Sequence, residues 1–489
     1  MPTPASSPVV VIGAGLAGLA ASLRLARDGH PVTLLEAGAA PGGCCASVEV
    51  DGFRFNTGAV YMAAPSLLRA GFQRLGLDPE RELTLLPVQR PHETHLQDGA
   101  VVHLADARTS RVEGPRAAER TAMLRDGLAA LQRHWGPVYR TLIAEVLPHP
   151  PSPWRALWRL GRYLPRMGGH ADALIARFFP DAGLQAAVAS TLLYTGLPPE
   201  RLPATQIIGL IALLEEGFHL PRGGMGAVSA ALARRLGQVG VTLRLGARVE
   251  HIETADGAVR GVVLAGGERL AAGRVVATCS GFELARRLLP AAAVPRRVAR
   301  AARRAPLSHR AVSIQLGCSG AVMPSSFVVN HVPDMAHQGL LHQAQPDVPR
   351  WLAYTVLTQV QPDLAPAGKS IIELYAPVSG IAHASEWTPA MTRQAVDFHM
   401  EALRRRLPGL QIETSRVLDP NDFARQRHLY EGALYGVAPG TAPDRLFPHR
   451  TGLRGLYLAG QSTFPGYGAP TAIWSGIHAA ESMLRHEPA

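Results

Sequence analysis

The hydrophobic pattern changes period twice within the first forty residues. Val9, Val10, Val11 and Ile12 form an unbroken β-branched run, which predicts a parallel strand buried on both faces. From Leu16 to Arg27 the chain is rich in alanine and leucine without proline, which predicts a helix. "HPVTLLEA" then predicts a second strand ending at Glu36. The same kind of pattern returns after residue 219, as loop, helix and a strand ending near Val249. Hairpins are predicted around Asp256-Gly257 and Gly266-Gly267, followed by a buried strand over Arg274 to Cys279. The last strand, glycine-rich turn and helix lie in "GLRGLYLAGQSTFPGYGAPTAIWSGIHAAESML".

The stretches between read differently. Residues 101 to 218 are helical and irregular, with proline clusters such as "LPHPPSPW", and 291 to 440 mix strands and helices. No repeat or long low-complexity linker separates them. The fold class is therefore α/β, a Rossmann-type domain interleaved with a discontinuous α+β domain. The first domain is expected over 1–100, 219–290 and 441–489, and the second over 101–218 and 291–440.

The glycines between the first strand and helix give this frame its chemistry. Gly13, Gly15 and Gly18 have the GxGxxG spacing: the first permits a tight turn, the second lets backbone approach a pyrophosphate, and the third lets the helix pack on the strand. The helix start then offers free N–H groups to phosphate. Glu36, 18 residues past Gly18, can accept hydrogen bonds from ribose hydroxyls and would repel a 2′-phosphate. After Glu36 come Pro41, Gly42 and Gly43, a short strand, and Gly58. An acidic strand end followed by a glycine pair resembles the FAD-binding superfamily that includes amine oxidases and phytoene desaturases. In that pattern an arginine or lysine usually follows the glycine pair; here Cys44 stands there. "RGGMGA", Arg222 to Ala227, follows a proline rather than a buried strand, so no second dinucleotide is indicated.

Composition adds bounds. At 489 residues, 47% hydrophobic and 18% charged, the chain can bury two substantial cores. The formal charge of +11 comes from arginine, yet no nucleic-acid motif accompanies it, and a basic surface also suits anionic lipid. Cys44, Cys45, Cys279 and Cys318 have no metal-like spacing, so a reducing compartment is expected and no metal is. "MPTPASSPVV" lacks the features of a signal peptide, and no apolar run reaches a spanning length. "ATQIIGLIALLEEGF" predicts a buried or interfacial helix.

"FHLPRGGMGAVSAALARRL" with "GVTLRLGARVEHI", "NDFARQRHLYEGALYGVAP" and the terminal motif together resemble bacterial phytoene-desaturase-type carotenoid dehydrogenases. The resemblance implies that the first domain binds FAD and the second the substrate, that Gly13, Gly15, Gly18 and Glu36 hold the AMP half of FAD, and that Gly42, Gly43 and Gly58 line the pyrophosphate and ring. It places the backbone of Val249 at the adenine, Gly460 at the ribityl and phosphate, and Gly466 and Ala472 beside the isoalloxazine. Two further departures stand out: the family's FDxGP reads Phe55-Asn56-Thr57-Gly58-Ala59, and Gln461 replaces a common acidic residue.

The resemblance implies an FAD-dependent desaturase that introduces C=C bonds into an acyclic carotenoid, either phytoene-type or by 3,4-desaturation of a hydroxylated carotenoid. The same fold also serves isomerases, oxygenases, saturases or reductive cyclases on other polyenes, and amine oxidases, which would need an aromatic cage and a cation-accepting tunnel. A non-catalytic flavin-binding scaffold is the remaining class. The carotenoid reading implies an apolar tunnel and a quinone or oxygen as electron acceptor. No catalytic base is assigned; His428, Glu431 and Arg425 are candidates to face the flavin. In "PSPWRALWRLGRYLPRM", Trp154, Leu157, Trp158 and Leu164 share a helical face flanked by Arg155, Arg159, Arg162 and Arg166. With Arg296, Arg297, Arg300, Arg303, Arg304 and Arg310, this pattern predicts a cytoplasmic protein held peripherally on the cytoplasmic membrane.

Overall fold

The computed structural model describes residues 8–319, 324, 326–332, 351–378 and 381–487. The β-branched run forms the strand Val9–Ile12 at the centre of a five-stranded parallel sheet. Across that sheet the order is Thr242–Arg244, Val32–Leu35, Val9–Ile12, Arg274–Ala277 and Leu456–Leu458. Strands from the start, middle and end of the chain thus lie side by side in one sheet. The helix Leu16–Arg27 packs against the C-terminal helix Ala469–His486. Gly476 makes that approach possible, because a Cβ there would sit 2.1 Å from the Ala17 carbonyl oxygen.

Two strand ends differ from the sequence expectation. The strand expected to end near Val249 stops at Arg244, because Gly246 turns at φ +66°; Val249 instead opens the next strand, Val249–Ala255. The strand expected to reach Cys279 stops at Ala277, where Thr278 turns its hydroxyl back to the Ile12 and Gly13 carbonyls. Both expected hairpins form, between Val249–Ala255 and Ala258–Leu264 and between Ala258–Leu264 and Arg269–Ala271.

A second, eight-stranded sheet carries the other half of the molecule, and its strands are antiparallel except where Val328–His331 runs parallel to His92–His95. His92–His95, before residue 100, is the first strand to join it. The greasy segment near residue 210 forms the helix Ile208–Glu216, buried against the long helix Ala117–Thr141. Among the described residues no helix is long and apolar enough to cross a membrane.

Candidate functional site

The three glycines of the first turn do different work. Gly13 has φ +96°, and a Cβ on it would lie 2.8 Å from Thr278 Oγ1. Gly18 is tighter still: its Cβ would sit 1.8 Å from the Gly13 carbonyl oxygen. Both are required by the protein's own packing. At Gly15 a Cβ would meet no protein atom within 4 Å. Gly15 is also the N-cap of the Leu16–Arg27 helix, and neither a capping side chain nor an acidic residue occupies that first turn. The open concavity and the uncapped N–H groups form a cradle for an anion that the protein itself does not fill.

The glycine pair lies against this cradle. Gly42 N donates to the Ala14 carbonyl at 2.8 Å, and a Cβ on Gly43 would lie 3.4 Å from Gly15 Cα. Gly42 and Gly43 both have positive φ, at +122° and +57°. Gly58 passes the same turn, 2.9 Å from the Cys44 carbonyl oxygen if given a Cβ. The "RGGMGA" loop is the scaffold beneath: Cys45 Sγ donates to the Met225 carbonyl, and Ser229 Oγ to the Cys45 carbonyl at 2.7 Å.

Glu36 ends the second strand with its carboxylate already oriented. Its oxygens accept from Ala14 N at 2.7 Å and Gly38 N at 2.8 Å, leaving lone pairs for a ribose. Ala247 N donates to the Glu36 carbonyl at 2.8 Å, so the turn leading into buried Val249 is fastened beside it. At the other end, Gly460 N donates to Ser475 Oγ at 2.9 Å, and a Cβ there would lie 3.1 Å from the Thr278 carbonyl oxygen. Gly466 borders open space, and Ala472 N donates to the Gly468 carbonyl in the first turn of the C-terminal helix. The glycine turns, Glu36 and the last strand therefore converge around the carboxyl ends of the parallel strands, where dinucleotides bind such sheets.

Of the three candidates for a group at the flavin, Arg425 and Glu431 have partners within the protein and His428 is exposed. Arg425 is exposed and pairs with Asp422 at 3.0 Å, and His428 is exposed with φ +52°. Glu431 accepts from Ala384 N at 2.9 Å, a loop-fastening contact. Sequence reading missed a different acid, Glu373 on the strand Ser370–Val378. Its Oε1 accepts from Asn56 N at 2.9 Å and Gln315 Nε2 at 3.1 Å, and burial pushes its pKa up to about 7. Asn56, where the family pattern has aspartate, thus keeps a second carboxylate away from a buried one. Gln461 is comparably suited: its amide can donate to the Leu434 carbonyl and accept from Gly436 N, both at 3.2 Å. A carboxylate could do only the second.

Sequence reading also missed an aromatic cluster, since its members are scattered along the chain. Tyr61 stacks on Phe218 at 4.2 Å, Tyr435 on Tyr467 at 4.4 Å, and Tyr194 on Tyr375 at 5.5 Å. Tyr61 lies three residues after Gly58, Tyr467 lies beside Gly466, and Tyr375 is on the strand Ser370–Val378, so the cluster joins the glycine turns to the large sheet. The Tyr435 hydroxyl donates to the Tyr194 carbonyl at 2.7 Å, and Tyr375 bonds His309 Nε2. The Tyr194 hydroxyl is enclosed without a hydrogen-bond partner. Burial raises the pKa of Tyr61 to about 12 and holds those of Tyr194, Tyr375, Tyr435 and Tyr467 above the ordinary phenol value.

The family model for flavin containing amine oxidoreductases matches residues 16–484. The chain belongs to that family. This flavin oxidoreductase is 30% identical to a phytoene dehydrogenase of Streptomyces griseus, over 97% of this chain and 94% of that one. It is 31% identical to a hydroxyneurosporene desaturase of Rubrivivax gelatinosus, over 98% and 93% respectively. A solved oxidoreductase from Methanosarcina mazei matches with a TM-score of 0.65 at 16% identity, over 97% of this chain and all of that one. A putrescine oxidase matches with a TM-score of 0.62 at 16% identity, over 98% and 99%. The cofactor is FAD, and the open cradle at Gly15 with the free carboxylate lone pairs of Glu36 fits its diphosphate and ribose.

Proposed function

We propose that the protein is an FAD-dependent carotenoid desaturase, which forms a C=C bond by removing hydrogen from adjacent carbons of an acyclic polyene. The observation that carries this reading is the aromatic cluster beside the nucleotide-binding turns, in a chain similar along nearly its whole length to carotenoid desaturases. Bound FAD supplies the acceptor for the hydride, while a proton leaves the neighbouring carbon. The protein's part is to hold the polyene in place and exclude water. The phenols stay protonated at neutral pH, so they act as walls and hydrogen-bond donors and not as bases.

An amine substrate fits less well. Tyr435 and Tyr467 stack too closely, at 4.4 Å, to admit a cation between their faces. No carboxylate among the described residues bonds any of the five clustered phenols. The unpaired Tyr194 hydroxyl supports a finer reading, that the preferred polyene carries a hydroxyl group.

Access from lipid belongs to the same proposal. In the helix Pro153–Leu160, Trp154 and Trp158 are 80% and 73% exposed and Leu157 is exposed with them, as is Leu164 in the turn Gly161–Arg166 that follows. An apolar face turned outward, rather than onto the core, suits insertion at headgroup depth. Arg162 is exposed beside it, whereas Arg159 pairs with Glu145 and Arg166 with the His134 carbonyl. The second basic run contributes less than the sequence suggested. Arg310 is buried and bonds the carbonyls of Glu431, Ile381 and Ala382, leaving the helix Arg296–Arg304 as the basic surface.

The test is anaerobic reduction of the FAD-loaded protein on anionic liposomes carrying acyclic carotenoids at successive desaturation stages, with and without a hydroxyl. Flavin bleaching, with a red-shifted polyene once a quinone or oxygen is admitted, is the expected result. Full FAD loading without bleaching by any carotenoid would overturn the desaturase reading.

A further inference from the structure

The cation expected directly after Gly42-Gly43 is missing, because Cys44 occupies its place. The Cys44 side chain packs onto Leu418, Phe423 and Leu429. Between the last two of these the chain reverses: Arg427 N and Leu429 N both donate to the Phe423 carbonyl at 3.2 Å, and His428 adopts φ +52°. This reversal brings the Arg427 guanidinium beside Cys44, where it opposes the burial that pushes the thiol up to about 11. Arg427 Nε is enclosed with no hydrogen-bond partner. Among the described residues no carboxylate pairs with Arg427, while the acid one turn before it, Asp422, is committed to Arg425 and Gln426.

A second guanidinium makes the arrangement more demanding. Arg416 Nη1 donates to Gln315 Oε1 at 2.7 Å; burial and the positive charge of Arg427 lower its pKa, and the carboxylates of Glu373 and Asp422 offset them only in part. Arg427, with an enclosed unpaired N–H and a second cation beside it, is therefore the one left in need of an anion. The Gly42–Cys45 turn that Arg427 flanks also abuts the open cradle at Gly15. Bound FAD would bring its diphosphate to that cradle.

We propose that Arg427, backed by Arg416, supplies from the substrate-domain loop the cationic contact to the FAD diphosphate that relatives place next to the glycine pair. The inference rests on FAD binding alone and is independent of which substrate the enzyme oxidises. Its test uses the full-length apoprotein, titrated with FAD and separately with ADP, in wild type, R427Q, R427K and C44R/R427Q. R427Q is expected to weaken FAD and ADP alike by about ten- to hundredfold, the effect of a lost charge-assisted hydrogen bond. R427K, which keeps the charge, should lose less. Arginine at position 44 should restore most of the affinity in the double variant. The apoprotein melting temperature of R427Q should equal or exceed that of wild type, since an unpaired cation has been removed. Unchanged FAD affinity, a loss for FAD but not for ADP, no rescue by C44R, or a lowered apoprotein melting temperature would each overturn the assignment.

Discussion

Glu373 offers a test in which sign and size both follow from the structure. Its carboxyl is buried between the large sheet and the Asn56 backbone, and desolvation is the main cause of a pKa raised from 4.5 to about 7. The folded protein therefore holds this proton more tightly than the unfolded chain does. The Glu373 contribution to stability is complete below pH 4.5 and is lost progressively as pH rises through 7. The shift corresponds to about 3 kcal/mol at 1.36 kcal/mol per pH unit. Buried His92, His331 and His478, with pKa lowered to about 3, and His449, lowered to about 4, act in the opposite direction. Their stabilisation is lost as pH falls below 6.5, so the wild-type profile alone cannot isolate the glutamate. The difference between wild type and E373Q can, because the imidazoles cancel in it. Glutamine keeps an oxygen that can accept from Asn56 N without ever ionising. Urea unfolding of both FAD-saturated proteins should show E373Q gaining about 2 to 3 kcal/mol on wild type between pH 5 and pH 8. A gap that stays flat, or narrows as pH rises, would refute the account of Glu373 as a buried acid charged at the expense of the fold.

Three other perturbations separate folding from function. G15A should leave the apoprotein as stable as wild type yet weaken FAD by more than about tenfold, whereas G18A should destabilise the apoprotein itself by about 1–3 kcal/mol, because only its Cβ meets backbone; thermal melts and flavin fluorescence titration read both. W154S/W158S should abolish flotation with anionic liposomes while leaving the bound-flavin spectrum unchanged. Y194F should stabilise the unliganded protein by about 1–3 kcal/mol, the burden of an unpaired buried hydroxyl, and reduce discrimination in kcat/KM between hydroxylated and unhydroxylated polyenes.

The nucleotide half was legible because it depends on local rules. A buried parallel strand needs an unbroken apolar run, Gly13 takes φ +96° at the tight turn itself, and Gly18 answers to the Gly13 carbonyl five residues before it. Their roles could be read from spacing, and the helix Leu16–Arg27 matches its expected bounds. The rest depends on pairs far apart in sequence. Glu373 meets Asn56 across 317 residues, and Tyr435 meets Tyr194 across 241. No periodicity links such positions, so the aromatic cluster and the buried acid were invisible. Arg310 was misread for a related reason: its neighbours in sequence are exposed arginines, but its own side chain enters a strand start capped by three carbonyls.

The departures from the family pattern share a physical logic. Asn56, Cys44 and Gln461 each lack a charge that the pattern supplies, and each faces a group from the substrate half. Asn56 faces Glu373, whose buried carboxyl would be repelled by an aspartate. Cys44 lies on the Phe423–Leu429 reversal, where an arginine would confront Arg427. Gln461 reaches the Leu434 carbonyl and Gly436 N, where a carboxylate would leave the carbonyl without a donor. Two of these three partners belong to the segment between residues 423 and 436, and the third lies on the sheet beside it. The charge balance around the flavin site is thus divided between the two halves of the chain. A substitution restoring the family's charge at one position alone should be unfavourable unless its partner across the interface changes with it.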